Sequence, residues 1–471
     1  MIEINTEHHE YKASHALWKQ YRDLYTGGAQ FKAKAGDYLI QRNREPGGVY
    51  QERLSRAFYE NYIGSIVDWY AATLFRREPV ISVEGENDLG RRFFNAFVED
   101  CDRKGSNLSD FFRHQILEAL ICGTSYTLVD FPRQSVKPQN RAEEEASGAA
   151  NAYLVSYAPD EIINWSTDER GEFDWVVIRT AQMRRLRLED PEPMVETYWH
   201  YYDRENFRSY RRLSRPSMFG GAGETGPIDL VAEGLHGLAK QRRVPLFELK
   251  LTDGMWLMNK AASLQLEHFN KSNALGWALT MGLFAMPVIF SDKEWNNVVG
   301  ESYYIQMGKD DRFGWAEPEG HVYEVASRNL DRLKEEIYRV CYLLAQAGQT
   351  SADGRQVSGL SKQRDFAITQ EVLRGFGDTA KDTMRRVLLA VEAAREDGLT
   401  VSVSGLDEFD IGDFSAEVDD ARRLLELGVG SPTLRRQVYK KLAFKYLCDE
   451  RQEMKDTIAR EIDEWMSREE R

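Results

Sequence analysis

The residues that could do chemistry in this chain do not form a recognisable catalytic motif. His8, His9 and Glu10 are adjacent, but they lack the HExxH spacing of a zinc metalloprotease. His114 and Glu118 are one helical turn apart and could share a metal ion, although the sequence offers no third ligand nearby. We therefore interpret this pair as polar residues on a half-buried helix and keep a shared metal as the alternative.

Phosphate transfer and acyl transfer also lack their usual signatures. The sequence contains no GxxxxGKS/T loop and no GxSxG nucleophile elbow. Gly375 and Gly377 lie within a helical pattern and do not complete a phosphate loop. The acidic runs at 99–100 and 143–145 are typical of solvated charge and not of an acid–base pair. The sequence thus predicts no enzyme, no cofactor and no metal site.

Two basic clusters, at 184–187 and 211–215, alternate with apolar or aromatic residues. Such interleaving is typical of proteins that bind single-stranded nucleic acid. Both clusters fall on predicted strands, where Lys and Arg often form the solvent face or protect an edge. We favour the second interpretation and leave nucleic-acid contact as the alternative. Arg242 and Arg243 precede Pro245 and indicate a charged contact between subunits or domains.

The composition is that of a folded protein of two to four packed regions. The chain has 471 residues, of which 42% are hydrophobic and 29% charged. Its four cysteines (Cys101, Cys122, Cys341 and Cys448) are far apart, which predicts neither zinc nor a disulfide framework and fits a reducing cytoplasm. The longest apolar run is shorter than the roughly 20 residues that span a bilayer, so we expect no membrane contact.

The net charge of −14 bears on any partner that is a nucleic acid. Tight duplex binding requires clustered Lys and Arg, so the whole surface cannot grip DNA. An acidic protein can still handle DNA if it must let the DNA slide and not hold it.

Hydrophobic periodicity predicts helices in the first hundred residues. A stripe of residues four apart predicts a helix in a segment that Pro79 closes. The members of the stripe are Leu54, Phe58, Tyr62, Ile66 and Tyr70. A second helix is expected to begin at the cap Asn107 and to end at Gly123, with a strand at 125–130 directly after it.

The middle of the chain changes to short runs of β-branched and aromatic residues, which predict one small antiparallel sheet. These runs are 153–157, 175–179, 196–202 and 207–213. Pro, Gly and Glu enrichment predicts a mobile surface loop at 134–150, and the glycine-rich segment 220–226 predicts a hairpin tip or loop.

The second half returns to helical periodicity around an irregular segment. A helix is predicted from about Met255 to Leu283, followed by an aromatic, partly β segment up to Val325. Ser327 or Asn329 is the expected cap of the next helix. The remaining predicted elements are a polar loop at 349–359, a long helix at 360–396, a strand and acidic turn at 401–414, and helices from 416 onwards.

Six segments occur in an order that carries more information than any one of them. They are 50–79, 123–132, 157–165, 244–249, 266–273 and 346–354. This order resembles that of the portal proteins of tailed bacteriophages, the head-to-tail connector family. The resemblance implies an α+β, mainly helical subunit with wing, stem, clip and crown, assembled into a ring oligomer.

Segment boundaries follow from the same resemblance. They are a wing at 1–252 (helices and a small antiparallel sheet), stem helix 1 at 253–285, a clip at 286–327, stem helix 2 at 328–348, a tunnel loop at 349–359, a long wing helix and strand at 360–414, and a helical crown at 415–471.

The function that the resemblance implies is a DNA channel at one capsid vertex, used for genome packaging, retention and ejection. It implies a homo-oligomeric ring of twelve subunits around double-stranded viral DNA. The further partners are the terminase large subunit, head–tail adaptor or connector proteins, the major capsid protein and the scaffold. The implied location is the portal vertex of the virion, after synthesis in the bacterial cytoplasm. The alternative is another structural virion protein, such as a head-completion or capsid-associated component.

Two groups of residues are the predicted functional sites. Six polar residues of the tunnel loop are expected to face DNA: Gln349, Thr350, Ser351, Arg355, Gln356 and Ser358. Five aromatic residues crowd the clip: Trp295, Tyr303, Tyr304, Phe313 and Trp315. Aromatic residues serve equally in a small local core and in docking of the motor or connector, so both interpretations stay open.

Overall fold

The computed structural model describes most of the chain, and it is an α+β fold. The described residues are 4–133, 143–144, 147–185, 193–215, 226–283, 286–290, 312–316, 320–343, 359–407, 409, 414–426, 431–447 and 452–469. None of the helices among them combines the length and apolarity that crossing a bilayer requires.

The chain divides into two compact units, which are described separately. The first comprises Met1–Arg22, Val67–Met258 and Ala367–Arg471, and the second comprises Asp23–Ile66 and Asn259–Phe366. Twelve α-helices lie in the described residues. They are α1 His9–Thr26, α2 Gly28–Lys34, α3 Gly47–Arg56, α4 Tyr62–Leu74, α5 Asp88–Glu99, α6 Leu108–Cys122, α7 Leu257–Leu283, α8 Gly320–Val340, α9 Gly359–Arg395, α10 Phe414–Glu426, α11 Pro432–Tyr446 and α12 Gln452–Glu469.

Twelve strands lie in the same described ranges. They are β1 Val80–Glu84, β2 Thr124–Asp130, β3 Tyr153–Tyr157, β4 Ile162–Thr167, β5 Phe173–Arg184, β6 Met194–Asp203, β7 Asn206–Ser214, β8 Asp229–Leu235, β9 Leu246–Lys250, β10 Met286–Phe290, β11 Arg312–Ala316 and β12 Thr400–Ser404. The strand pairs β1–β12 and β10–β11 are antiparallel.

Two antiparallel sheets share the core of the first unit. One has the strand order β3-β2-β9 and the other has the order β4-β5-β6-β7-β8. Leu128 and Leu246 of the smaller sheet are buried in one cluster with Val176, Ile178 and Phe207 of the larger sheet. Burial of these side chains on both sheets is the main stabilising contribution that joins the sheets, because hydrophobic burial scales with the apolar area removed from water.

The second predicted helix is confirmed together with its cap and its end. Asn107 Oδ1 accepts a hydrogen bond from the backbone N–H of Asp110 at 2.7 Å, as an N-cap side chain does. Gly123 ends the helix with φ 87°, a left-handed conformation that glycine adopts without steric cost. The strand predicted after it is β2, and the long predicted helix is α9.

Three expectations about secondary structure are corrected. The stripe from Leu54 to Tyr70 lies on two helices, because α3 ends at Arg56 and α4 begins at Tyr62. The single predicted sheet is two sheets, because β3 pairs with β2 and not with the strands that follow it. Long-range strand pairing therefore places the predicted strands in two different sheets.

The helix expected at 328–348 occupies Gly320–Val340 instead. Ser327 and Asn329 consequently lie inside α8 and do not cap it. The ion pair of Arg328 with Glu324, four residues earlier and 3.7 Å away, shows that the charge pattern of the helix already begins upstream. At the other end Tyr342 has φ 61°, which a helix cannot continue through. Residues 320–327, which we assigned to the clip, are helical.

The predicted loops at 134–150 and 220–226 and the acidic turn after β12 fall largely outside the described residues.

Candidate functional site: the excursion from α7 to α8

The predicted tunnel-loop residues all lie outside the described part of the chain, and so do Trp295, Tyr303 and Tyr304 of the predicted clip. The other two clip residues lie on β11, where Phe313 pairs with Ile289 and Trp315 pairs with Pro287. Of the predicted site, the structure therefore brings onto one strand only these two aromatic positions, which are two residues apart.

Three hydrogen bonds join α7 and α8, the two helices on either side of this strand pair. They are Lys260 Nζ to Tyr342 Oη just beyond α8 (2.5 Å), Lys271 Nζ to Asn329 Oδ1 (3.0 Å), and Tyr323 Oη to the carbonyl oxygen of Ala278 (3.2 Å). As the residue number rises along α7, that of its partner falls almost one for one. The two helices are therefore antiparallel neighbours, and these contacts extend over about 27 Å at 1.5 Å per residue.

The strand pair continues this arrangement without a change of register. Met286 pairs with Ala316 and Phe290 pairs with Arg312, so the outgoing and returning arms stay matched residue for residue. Within residues 257–340, the described helices α7 and α8 and the described strands β10 and β11 are thus arranged in antiparallel pairs, which we call the excursion.

Helix α8 presents many charges but no net charge. Four acidic residues (Glu324, Asp331, Glu335 and Glu336) balance four basic residues (Arg328, Arg332, Lys334 and Arg339). Several of these charges are paired along the helix: Arg339 Nε donates to Glu336 at 2.8 Å, and both side chains remain partly exposed.

Helix α7 is similar, with two lysines and one glutamate, and Lys271 lies 2.9 Å from Glu267. The net charge of −14 is therefore not carried by these helices. On α8 the ion pairs are Arg328 with Glu324 and Arg339 with Glu336, so two of its four basic side chains have a carboxylate partner on the same helix.

The other side of α7 carries side-chain amides that are bonded to distant backbone groups. Gln265 accepts from the N–H of Ile63 at 3.3 Å and donates to the carbonyl of Glu60 at 2.8 Å. Asn270 accepts from the N–H of Ile40 at 2.9 Å and donates to the carbonyl of Tyr38 at 3.1 Å.

Asn273, one turn further along, bonds both backbone groups of Phe58. Asn61 completes this set, since its Oδ1 accepts from the N–H of Gly64 at 2.9 Å and its Nδ2 donates to the carbonyl of Tyr25 at 2.8 Å. A Cβ at Gly64 would lie 2.5 Å from Asn61 Nδ2, so the cap requires glycine there. We call Asn61, Gln265, Asn270 and Asn273 the amide cluster.

A titratable group lies beside the amide cluster. His268 is 2% exposed and its Nε2 is 3.7 Å from a carboxylate oxygen of Glu60, whose other contact is the hydroxyl of Tyr62. Burial lowers the pKa of His268, and the charge of Glu60 opposes that shift only in part. His268 is thus a packed, neutral residue near neutral pH.

The candidate metal pair on α6 has a different role. Arg22 binds the carboxylate of Glu118 through both terminal nitrogens and also donates to Asp160 at 2.8 Å. Burial raises the pKa of Glu118 although Arg22 acts in the opposite direction. Glu118 is therefore engaged by a guanidinium and not by a metal-ligand set with His114.

His8, His9 and Glu10 offer three ligand atoms within 4.8 Å of one another. The His8 ring stacks on Trp165 with centroids 4.1 Å apart, and its Nδ1 accepts from the N–H of Glu10 at 3.3 Å. These contacts orient the start of α1 against β4.

The basic clusters on the larger sheet share one buried carboxylate. Arg184 and Arg211 lie 3.8 Å and 3.7 Å from opposite oxygens of Glu196, whose side chain is 4% exposed. This pairing supports the strand-face interpretation over nucleic-acid contact.

The other basic pair is also used inside the first unit. Arg242 pairs with Glu205 at 3.3 Å and Arg243 with Glu172 at 2.9 Å. Arg242 and Arg243 therefore have carboxylate partners inside the first unit, and the contact between subunits or domains that we expected of them stays a prediction.

A cavity of about 460 Å³ lies between α9 and the strands of the first unit. Its polar lining consists largely of paired groups: Arg386 donates to the carbonyl of Glu248 at 2.8 Å and lies 3.1 Å from Asp382. The hydrogen bond from Arg386 to the Glu248 carbonyl therefore joins α9 to β9 at this cavity.

No protein-family model matches the chain, and no curated protein matches it. Among solved structures, the chain is similar to one in the neck of an empty gene transfer agent (GTA) particle computed with C6 symmetry. The identity is 12%, over 78% of this chain and 86% of that chain, with a TM-score of 0.39.

Two further GTA structures give comparable values at 12% identity over 78% of this chain. The virion of the native particle has a TM-score of 0.33 over 85% of that chain, and the neck of the native particle computed with C12 symmetry has 0.34 over 84%. TM-scores of this size do not establish a common fold.

Sequence reasoning missed the amide cluster. Asn61 and the segment that contains Asn270 and Asn273 were part of the order that resembles the portal family, but no role followed from them. The available signal was the presence of amide side chains on the apolar side of a long helix, where a polar group needs a partner.

Proposed function

We propose that this chain is the subunit of a portal ring, the DNA channel at a unique capsid vertex of a tailed phage or phage-like particle. In this proposal the ring contains twelve subunits and serves genome packaging, retention and ejection. Its partners are double-stranded DNA inside the channel, the terminase motor and later the head–tail connector proteins outside it, and the capsid and scaffold around it.

The observation that carries the proposal is the excursion of residues 257–340. Two helices that run antiparallel, tied by three hydrogen bonds and continued by the β10–β11 pair, are what a stem and clip require. The return arm is followed along the chain by α9, which at 37 residues is the longest of the described helices. A capsid-associated component has no evident use for such a paired excursion.

The charge pattern of α8 supports the same proposal. A channel wall must lie near phosphates without holding them, because each free cation that binds a phosphate adds to the affinity for DNA. Helix α8 has equal numbers of acids and bases, and pairs such as Arg328 with Glu324 occupy its exposed side. A duplex that passed this face would meet no continuous strip of free cations.

Within the proposal, the tunnel loop at 349–359 follows the second stem helix and supplies the closest contacts to DNA. The aromatic clip residues, among them Phe313 and Trp315, dock the motor and then the connector. Neither role involves catalysis, and ATP hydrolysis belongs to the motor.

Negative-stain microscopy and mass photometry of the purified full chain test the proposal. The expected result is a closed ring with a central hole, whose mass corresponds to about twelve copies as in a cyclic heterologous assembly. A chain that stays monomeric or forms only two-fold dimers at every concentration and salt would overturn it. A shell-like assembly without a hole would instead favour the capsid-associated alternative.

A further inference from the structure

The outer edge of β8 has the features of an exposed edge strand that could pair with another strand. In the described ranges β8 pairs with β7 alone, at the end of the five-stranded sheet. Leu230, Val231 and Leu235 are 50%, 49% and 65% exposed, and Ile228 just before the strand is 41% exposed. Proteins normally protect such an edge with lysine, proline or a covering loop, because its free N–H and C=O groups accept another strand.

The opposite side of the same sheet has a second open edge. Strand β4 covers β5 only from Phe173 to Ile178, whereas β5 continues to Arg184 with β6 on its other side. Arg179, the first residue beyond β4, is held by side chains of the N-terminal segment, including Glu7 at 3.0 Å. The edge from Thr180 to Arg184 has no such cover among the described residues.

The exposed side chains of this second edge complement those of β8. Met183 is 70% exposed and the Arg184 side chain is 63% exposed beside Glu196; the next residue, Arg185, is also exposed. Strand β8 carries the acidic residues Asp229 and Glu233, both exposed. One edge therefore combines apolar side chains with acids, and the other combines an apolar side chain with bases.

The distribution of charge decides between two ways of pairing copies of this chain. If β8 paired with β8 of another copy across a two-fold axis, acidic residues would face acidic residues, which is unfavourable across strands. Pairing of β8 with the β5 edge brings opposite charges together. It also joins two different surfaces on opposite sides of one sheet, which is the heterologous contact that closes a ring.

We propose that β8 of one subunit adds to the outer edge of β5, residues 180–184, in the next subunit, so that the five-stranded sheets continue around the ring. This inference rests on the proposed function, since it assumes a ring of identical subunits. It assigns the contact between those subunits to a second copy of this chain and to these two edges.

The first experiment places lysine on the β8 edge of the full-length protein, in the variant Leu230→Lys/Leu235→Lys. Both side chains are at least half exposed, so the subunit should still fold with lysine at these positions. Lysines on the edge should, however, oppose the addition of another strand. The expected result is a fall in the ring fraction of about tenfold or more at fixed concentration, because charge is buried without a partner at the new interface. Leu89→Lys on α5, where Leu89 is 59% exposed, is the matched control and should assemble like the unaltered protein.

The second experiment reverses charges on each edge. Asp229→Arg/Glu233→Arg and Arg185→Glu should each reduce the ring fraction, and a protein that combines all three changes should regain it. Arg184 is left unchanged because it pairs with the buried Glu196 inside the subunit. Mass photometry supplies the ring fraction, and circular dichroism of each variant confirms that it is folded.

The outcomes separate this inference from the proposed function. If the unaltered protein forms rings and the lysine variant forms them equally well, the proposed role of β8 is overturned. Failure of the combined charge reversal to restore rings, although each half disrupts them, would overturn the β5 edge as its partner. An unaltered protein that forms no ring at all would overturn the portal proposal itself, and the edge pairing with it.

Discussion

Asn273 binds both backbone groups of Phe58, a residue 215 positions earlier in the chain. Its Oδ1 accepts from the Phe58 N–H at 3.0 Å and its Nδ2 donates to the Phe58 carbonyl at 2.8 Å. Phe58 lies between α3 and α4, where no helical hydrogen bond is made. The Asn273 side chain on α7 thus supplies the hydrogen bonds that the Phe58 backbone would have made if it were part of a helix.

Loss of this amide should destabilise the second unit. In Asn273→Ala the two backbone groups of Phe58 lose their partner, and Asn273 is only 8% exposed in the native protein. We expect the free energy of unfolding to fall by about 1–3 kcal/mol, the usual cost of leaving buried polar groups unsatisfied. Urea denaturation monitored by tryptophan fluorescence measures the change.

Ser263→Ala is the control for this substitution, because Ser263 lies on the exposed side of the same helix. It should change the stability by less than about 0.5 kcal/mol, as surface substitutions usually do. Equal stability of the Asn273 and Ser263 variants would mean that water replaces the amide without cost.

His200 should make stability depend on pH in the acidic range. Burial lowers its pKa to about 4, and the positive charge of Arg133 acts in the same direction. Its ordinary pKa is 6.5, so below that pH the unfolded chain takes up a proton that the folded chain does not accept. The contribution of His200 to the free energy of unfolding is therefore fully present above pH 6.5, decreases as the pH falls towards 4, and levels off below that. For one proton the slope is at most about 1.4 kcal/mol per pH unit.

The measurement is the free energy of unfolding at several pH values between 6.5 and 4.5. His200→Asn should show a smaller loss over this window than the unaltered protein, because the titrating group is gone. His9→Asn should keep the original slope, since the His9 side chain is 82% exposed. A slope unaltered by the His200 substitution would contradict the assignment.

The proposed tunnel loop predicts a defect confined to DNA. Arg355→Glu and, separately, deletion of residues 352–354 should leave ring assembly and the motor's ATPase activity normal, because neither involves the loop. DNA packaging or retention should be impaired, since the loop loses its cation or its reach towards the phosphates. A packaging assay with both variants tests this, and normal packaging and retention in both would mean that the loop does not face DNA.

The proposed clip predicts the loss of one partner. Trp315→Ala should leave rings intact and abolish binding of the terminase motor, because buried aromatic residues dominate such interfaces. Pull-down with the motor protein, together with microscopy of the rings, distinguishes the two interpretations of this segment. Loss of assembly along with binding would show that Trp315 belongs to a local core.

Much of the secondary structure could be predicted because its causes are local. Asn107 and Gly123 mark the two ends of α6 through a side-chain cap and a left-handed glycine, and both effects act within a few residues. The length of α9 was likewise close to the long helix predicted at 360–396, since the structure has it at Gly359–Arg395. The order of elements that resembles the portal family also lies in the sequence alone.

The candidate sites were only partly predictable, since their chemistry depends on partners far along the chain. His114 and Glu118 could have shared a metal ion by spacing, but Arg22 occupies the carboxylate. Glu196 was only the first residue of the predicted strand at 196–202, yet it is buried between Arg184 and Arg211. In each case a charge needed a counter-charge, and the pattern of one segment does not specify which residue supplies it.

The sequence by itself determined the local elements, since capping, periodicity and glycine conformations depend on neighbouring residues. Tertiary structure alone decided where the stripe from Leu54 to Tyr70 is interrupted. Its spacing of four fits a helix throughout, but Gln265 and Asn273 bond the backbone of Phe58 and Glu60, which lie between α3 and α4. Gln265 also accepts from the N–H of Ile63 in the first turn of α4. Those bonds join residues more than 200 positions apart, so the break in the helix exists only because the folded chain brings α7 beside it.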